Sequence, residues 1–247
     1  METLLLEHKG PVAWVWLNRP NRLNVINETV LAELRQTFEL LDADEETRAI
    51  VGAAHGPAFS AGFDITWMAG RDAETVSQGL AFAEAVYDAV EACTQPVITA
   101  VQGPAMGGGL LLCLVADFCL AAEGATFGAP EVKIGIFPNL RLIPRLERIV
   151  GLRAAKQLVL GGEPVTAAEA LSLGLVNGVL PPDRLHAEAQ VLAEHLAALP
   201  AMALQTGKAA FAASQGPDYA AWERSRFAAC WDGPEREAAM RAFLQRR

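Results

Sequence analysis

Hydrophobic positions along this chain follow two different patterns. In Val12–Leu17 apolar residues continue without a polar interruption, which predicts a strand buried on both faces. In residues 28–41 the apolar positions recur every three or four residues behind a capping Asn27, which predicts an amphipathic helix. Further strands are predicted at 4–7, 48–53 and 96–101, with a helix over 73–92. This alternation of strands and helices favours an α/β fold.

The second half of the chain changes from mixed to mostly helical patterns. Short strands are predicted at 117–122, 125–127 and 176–180, with helices over 141–150 and 153–160. Thr166 is a suitable cap for a helix over 167–173 that ends at Gly174. From Arg184 onward the sequence is rich in alanine and helical in pattern.

A run of glycines, Gly107 to Gly109, separates a predicted buried strand from a predicted buried helix. Adjacent glycines cost backbone entropy unless the backbone itself must be approached closely. A helix start also presents unpaired N–H groups and partial positive charge, which suit an oxygen that becomes negative during a reaction. The alternative is a tight turn with close helix packing, and the glycines alone leave both interpretations open.

Charge and composition exclude several functional classes. The 247 residues carry a net charge of −9, which argues against a general nucleic-acid or membrane-surface binder. No apolar run is long enough to span a bilayer, and the N-terminus lacks the features of a signal peptide. The four cysteines form no CxxC pair, and the four histidines have no ligand spacing beside them. We therefore expect a cytoplasmic protein with reduced cysteines and no metal site.

Common catalytic signatures are absent from the sequence. The glycine run lacks the Lys-Ser/Thr ending of a Walker A loop, and no strand leads into a G-x-G-x-x-G turn. Ser60 lacks the first glycine of a nucleophile elbow, which disfavours a serine hydrolase.

A set of ordered motifs over nearly the whole chain resembles the crotonase superfamily, the enoyl-CoA hydratase/isomerase family. The motifs are Leu17-Asn-Arg-Pro20, Ala58-Phe-Ser-Ala-Gly-Phe-Asp64, Met106-Gly-Gly-Gly109, Phe127-Gly-Ala-Pro-Glu131, Gly135-Ile-Phe-Pro138 and Gly174-Leu-Val-Asn-Gly-Val-Leu-Pro181. The resemblance implies a spiral of ββα turns over residues 1–190 that carries the active site. It also implies a helical part over residues 191–247 that forms homotrimers or dimers of trimers.

The same resemblance implies an acyl-CoA thioester substrate, with CoA as part of the substrate and no separate cofactor. The backbone N–H groups of Phe63 and Gly108 are expected to bind the thioester oxygen, and Glu131 is expected to act as the base. A carboxylate in an apolar site can have a pKa suited to proton abstraction. Outside its motif, Glu131 would instead be interpreted as a solvated acid at a helix start.

Leu111 is an informative departure from the family pattern. In the family's hydratases a second glutamate occupies this position, almost one helical turn after the middle glycine. Leucine cannot carry a proton, so the sequence favours a double-bond isomerase that uses one carboxylate. The alternatives are a hydratase, another crotonase reaction such as decarboxylation or thioester hydrolysis, and a catalytically idle CoA-binding scaffold.

The remaining site residues follow from their places in the family motifs. Ala61, Asp64 and Ile65 are expected beside the adenine of CoA, and Arg22 is a candidate phosphate contact. Trp67, Met68, Leu111 and Asn139 are candidates for the acyl pocket. For Trp67 and Met68 the alternative is packing, and for Asn139 it is a helix cap.

Overall fold

The computed structural model describes residues 1–214 and 216–245, with the backbone alone at 234 and 242–244. Its strands are β1 (Leu4–Lys9), β2 (Val12–Leu17), β3 (Ala49–Ala54), β4 (Val97–Val101), β5 (Ala105–Met106), β6 (Phe118–Ala122), β7 (Thr126–Gly128), β8 (Val165–Thr166) and β9 (Gly178–Leu180). Its helices are α1 (Glu28–Ala43), α2 (Ile65–Met68), α3 (Ala73–Ala92), α4 (Gly108–Val115), α5 (Leu142–Gly161), α6 (Ala167–Ser172), α7 (Leu185–Ala197), α8 (Ala201–Ala213), α9 (Tyr219–Asp232) and α10 (Pro234–Gln245).

Two sheets organise the described chain. The larger sheet has the order β1-β2-β3-β4-β6-β9, and only its β1–β2 pair is antiparallel. The smaller sheet has the order β5-β7-β8. All six residues of β2 are buried, as the uninterrupted apolar run predicts, because helices cover both faces of the larger sheet. The predicted α/β class is therefore confirmed, with two sheets and surrounding helices.

Helix α1 forms where its apolar stripe and its cap predict it. The side chain of Asn27 accepts a hydrogen bond from the Val30 amide, which satisfies one of the donors left free at a helix start. Leu34, Phe38 and Leu41 then lie on one face and are buried against the core. Full burial of one such side chain contributes about 1.5–3 kcal/mol to folding.

The structure differs from the sequence prediction around α5 and the smaller sheet. The two helices expected over 141–150 and 153–160 are one element with a kink at Gly151, whose φ of 78° departs from helical values. Strands β5 and β8 have two residues each, which is too short to produce a recognisable period. The predicted cap at Thr166 is confirmed and forms a reciprocal pair of hydrogen bonds with Glu169.

The C-terminal helices divide into a docked part and an exposed part. Helix α7 continues across residue 190 and packs its buried residues, including Leu185 and Leu196, against the larger sheet. In the following helices Phe211 is 80% exposed, Phe227 65% and Trp231 47%, so these aromatics do not close the core of this chain. Phe243 lies outside the described side chains. The division at residues 190 and 191 stays a prediction.

Three features of the described residues bear on membrane insertion, metal binding and cysteine chemistry. No helix there has the length and apolarity needed to cross a membrane. No cluster of His, Cys, Asp and Glu side chains there has the geometry to hold a metal ion. All four cysteines are free thiols, and Cys93, Cys113 and Cys119 are buried.

Candidate active site

Two loops, distant in sequence, lie side by side at the start of α4. The Ser60 amide donates to the Pro104 carbonyl at 3.0 Å, and the Met106 amide donates to the Ser60 carbonyl at 2.9 Å. These hydrogen bonds align the loop that contains Phe63 with the strand that leads into the glycine run. A Cβ atom placed on Gly62 would lie only 3.5 Å from the Gly108 amide nitrogen. The loops that carry the two proposed oxyanion donors therefore meet.

The amides of Phe63 and Gly108 have no hydrogen-bond acceptor within the described part of the chain. Before Phe63, the Gly62 carbonyl accepts a hydrogen bond from the Ile26 amide. After it, the Asp64 amide donates to the Ile26 carbonyl. This pairing leaves the Phe63 amide between them unused. The Gly108 amide is free because it begins helix α4 and has no carbonyl one turn earlier to bond. Free amides at such a place can bind a ligand oxygen.

The glycine run is required by the close packing of these loops. A Cβ atom on Gly109 would lie 2.5 Å from the Ser60 carbonyl oxygen, a distance that only a backbone shift could relieve. Gly107 has φ 51° and ψ −114°, a conformation that side chains strongly disfavour. The close-packing interpretation of the glycines is therefore correct, and it coexists with free amides at the helix start.

Glu131 lies beside this helix start. It is half-buried in a 3-10 helix (Pro130–Ile134) that follows β7. A Cβ atom on Gly107 would lie 2.8 Å from Oε1 of Glu131, so the carboxylate occupies the space that the glycine leaves open. Its other oxygen, Oε2, is buried without a hydrogen-bond partner among the described residues. Burial raises the pKa of Glu131 above its ordinary value.

Leu111 provides only hydrocarbon one turn into α4. The side chain is 1% exposed and belongs to the main hydrophobic core. Its amide donates to the Gly107 carbonyl at 2.9 Å, which places it directly above the glycine run. No proton can be transferred from this position.

The residues expected beside CoA are on adjoining segments. Arg22 is exposed at the end of a 3-10 helix (Pro20–Arg22), and the next carbonyl, that of Leu23, accepts from the Ala61 amide at 3.0 Å. Asp64 accepts from the Thr66 hydroxyl and amide, and these bonds lower the pKa of Asp64 despite its partial burial. Ile65 is 57% exposed. The hydrogen bond between Ala61 and Leu23 joins the two segments, while the contact of these residues with CoA stays a prediction.

Trp67 packs against helix α3, and Met68 beside it is half-buried. A Cβ atom on Gly79 would lie 2.5 Å from Cη2 of Trp67, so the indole occupies the surface of that glycine. The guanidinium of Arg71 lies 4.5 Å from the indole ring centre. These contacts support the packing interpretation of Trp67.

The cap interpretation of Asn139 is wrong. Helix α5 begins after Arg141, which has φ 56°, and no side chain caps it. Only the backbone carbonyl of Asn139 takes part, accepting from the Leu142 amide at 3.0 Å. Arg141 forms ion pairs with Glu84 and Asp88 on α3. The half-buried Asn139 side chain stays a candidate for the pocket.

Two supporting residues were not assigned these roles from sequence. The fully buried Ser60 donates from its hydroxyl to the Asn24 carbonyl at 2.8 Å and accepts from the Gly62 amide at 3.2 Å. Tyr87 is also fully buried, and its hydroxyl donates to the Gly108 carbonyl at 2.9 Å. The apolar period of α3 places Tyr87 in the core, but no sequence signal identifies the partner of its hydroxyl.

Comparisons with known proteins point to one family. The family model described as Enoyl-CoA hydratase/isomerase matches residues 7–247. A probable enoyl-CoA hydratase of Rhizobium meliloti is 38% identical over 249 residues, covering 100% of this chain and 96% of that protein. A crotonyl-CoA hydratase of Syntrophomonas wolfei is 33% identical over 250 residues, covering 100% of this chain and 96% of that protein. The crystal structure of an enoyl-CoA hydratase from Bacillus anthracis has a TM-score of 0.95 at 30% identity, covering 99% of this chain and 97% of that one.

Proposed function

Since the chain belongs to the enoyl-CoA hydratase/isomerase family and is an acyl-CoA enzyme, we propose that Glu131 transfers protons beside a thioester carbonyl held by the Phe63 and Gly108 amides. The observation that carries this proposal is the position of Glu131. Its carboxylate lies against Gly107, one residue before the Gly108 amide, and one of its oxygens is buried with no hydrogen-bond partner in the described part of the chain. A base and an oxyanion donor therefore adjoin one another.

The chemistry of thioesters explains why these groups belong together. Removing a proton from C2 of an acyl thioester moves negative charge onto the carbonyl oxygen. Each fixed backbone donor aimed at that oxygen is worth about 2.7–4 kcal/mol of transition-state stabilisation. The start of α4 adds the partial positive charge of the helix dipole. Both amides lack competing acceptors among the described residues, so they need not break other bonds to bind the substrate.

The reaction that the side chains favour is double-bond isomerisation. Glu131 takes a proton from C2 of a 3-enoyl-CoA, and the C–H electron pair forms a C1=C2 bond while the carbonyl electrons move onto the thioester oxygen. When the carbonyl re-forms, the C1=C2 electrons become the new C2=C3 bond, and the electrons of the former C3=C4 bond take the proton back from Glu131 at C4. One carboxylate is sufficient for both transfers, and the buried Leu111 supplies no second one.

Hydration of a 2-enoyl-CoA is the second candidate, and the names of the relatives favour it. The proteins from Rhizobium meliloti and Syntrophomonas wolfei are both named as hydratases. In this chain Glu131 would have to activate water and also supply the proton at C2. Decarboxylation and thioester hydrolysis are further reactions that the same oxyanion hole would support.

Two substrates distinguish these reactions. We expect purified protein to convert 3-enoyl-CoA into 2-enoyl-CoA much faster than it hydrates 2-enoyl-CoA. Fast hydration with untouched 3-enoyl-CoA would contradict the isomerase assignment. Deuterium exchange at C2 of a saturated acyl-CoA checks the base and the oxyanion hole together, whatever the natural acyl chain is. Absence of exchange and of both enoyl reactions would contradict the proposed role of Glu131.

We also propose how the other predicted residues contribute. Ala61, Asp64 and Ile65 face the adenine of CoA, and the exposed Arg22 on the adjoining turn contacts a phosphate. Homotrimers or dimers of trimers would cover the exposed Phe211, Phe227 and Trp231. Sedimentation equilibrium of the whole chain would test the assembly, and a monomer at micromolar concentration would contradict it.

A further inference from the structure

Tyr87 contacts both residues that carry the proposed oxyanion donors. Its hydroxyl donates to the Gly108 carbonyl at 2.9 Å. Its ring lies edge-on to the ring of Phe63, with centres 6.4 Å apart and an angle of 67° between the planes. The side chain is fully buried on α3, an element that belongs to neither donor loop. One residue thus spans the two halves of the oxyanion hole.

The glycine run depends on such external contacts for its position. Glycines have no side chains with which to anchor themselves, and their backbone has the greatest conformational freedom. The Leu111 amide holds the Gly107 carbonyl at 2.9 Å, on one side of the Gly108 amide. The Tyr87 hydroxyl holds the Gly108 carbonyl on the other side. The first bond restrains the peptide unit that contains the Gly108 N–H, and the second restrains the peptide unit that follows it.

The turn of α3 that carries Tyr87 is itself braced by buried charge. Arg145 is only 4% exposed and donates to Asp88 at 2.7 Å and to Glu91 at 2.6 Å. It also donates to the Leu140 carbonyl at 2.7 Å. Asp88 adjoins Tyr87 in sequence, so these bonds tie the turn that carries the tyrosine to the start of α5.

We propose that Tyr87 is a positioning residue of the oxyanion hole, which aims the Gly108 amide at the thioester oxygen through its hydrogen bond to the Gly108 carbonyl. The inference rests on the proposed function of the Phe63 and Gly108 amides. Tyr87 acts through the backbone of the glycine run and not through contact with the substrate. Loss of the Tyr87 hydroxyl should therefore weaken transition-state stabilisation more than substrate binding.

The Tyr87→Phe variant removes the hydroxyl and keeps the ring. We expect kcat to fall about tenfold, the scale of one lost hydrogen bond converted to a rate, while KM changes less than about twofold. A bound cinnamoyl-CoA, whose absorption moves to longer wavelength when its carbonyl is polarised, should show a smaller shift in the variant. Tyr219→Phe is the matched control because Tyr219 lies on α9 and is the only other tyrosine. It should leave kcat and the spectral shift unchanged.

If Tyr87→Phe does not fold, fluorine NMR of a labelled Tyr87 tests the proposed positioning role. In the Tyr219→Phe background, 3-fluorotyrosine labels Tyr87 alone, since the chain has two tyrosines. We expect its fluorine resonance to move when cinnamoyl-CoA binds and not when a thioether analogue without the carbonyl binds. An identical response to both ligands, or a folded Tyr87→Phe protein with unchanged kcat and spectral shift, would overturn the inference. A wild-type protein that neither polarises the probe nor exchanges C2 protons would instead overturn the proposed function.

Discussion

Two glutamates in this chain show how the same side chain serves opposite purposes. Glu33, on α1, accepts hydrogen bonds from the amides of Glu2, Thr3 and Leu4 and from the Thr3 hydroxyl. Glu131, beside the glycine run, has a buried oxygen with no partner among the described residues. The first carboxylate attaches the N-terminal strand to a helix, while the second makes no comparable set of hydrogen bonds within the described residues.

The pKa values of these two groups move in opposite directions for this reason. Partial burial pushes the pKa of Glu33 upward, but the hydrogen bonds from Thr3, Glu2 and Leu4 outweigh it and lower the pKa below the ordinary value. Burial of Glu131 meets no comparable set of donors, so its pKa is raised. Hydrogen bonds to the charged form therefore outweigh burial at Glu33, and burial prevails at Glu131. Substitutions at the two positions should therefore affect different measurements.

The largest expected effect is on activity at Glu131. Glu131→Gln should lower kcat by about 10²- to 10⁴-fold, the usual contribution of a general base. The variant should unfold at the same or a higher temperature at neutral pH, because it removes a carboxylate whose charged form is disfavoured by burial. Glu33→Gln is the matched control and should keep full activity. Equal activity of Glu131→Gln and Glu33→Gln would contradict the proposal that Glu131 is the base.

The next effect concerns the glycine that makes room for the Glu131 carboxylate. Gly107→Ala places a Cβ atom 2.8 Å from Oε1 of Glu131, at a backbone conformation that costs about 1–3 kcal/mol for other residues. We expect kcat to fall by about 10- to 100-fold, since small displacements of catalytic groups have effects of this size. Gly124→Ala meets no atom within 4 Å and is the control. Wild-type kinetics in the Gly107 variant would show that the carboxylate is positioned by other contacts.

The pH dependence of activity should reveal the raised pKa of Glu131. The base works only when ionised, so kcat/KM should fall about tenfold per pH unit below its pKa. The midpoint should lie above the value of about 4.3 that is ordinary for glutamate. A midpoint at or below that value would contradict the burial argument. The carboxyl stretch in the infrared difference between wild type and Glu131→Gln assigns the titration to this group.

The smallest effect is on stability at Glu33. Glu33→Gln should lower the free energy of unfolding by about 1 kcal/mol at neutral pH, a value discounted for solvent exposure. Because the folded-state pKa is lowered, this contribution is present above the unfolded pKa of about 4.3 and is lost as pH falls through the folded value. Urea unfolding of wild type and Glu33→Gln at pH 7 and at pH 3 measures the difference in unfolding free energy at each pH. A difference that persists at the lower pH would contradict the linkage.

Elements with strong periodic signals were predictable because local sequence decides them. The cap at Asn27, the helix α1 and the helix over 73–92 were all found from spacing, and the structure confirms them. The two-residue strands β5 and β8 were not found, since pairing with distant segments creates them. The cap assigned to Asn139 was wrong because helix α5 starts after Arg141, two residues later. The side chain of Arg141 pairs with Glu84 on α3, a contact between distant segments that the local sequence does not show.

The sequence by itself determined the family, the glycine run, the single candidate base and the absence of a proton carrier at Leu111. These are properties of residue identity and order, which a linear pattern records. Only the tertiary structure decided that the amides of Phe63 and Gly108 find no acceptor among the described residues and that Glu131 lies against Gly107. It also joined Tyr87 to Gly108. Hydrogen bonds between distant backbone groups depend on how segments meet, and a backbone amide has no side-chain identity that the sequence could record.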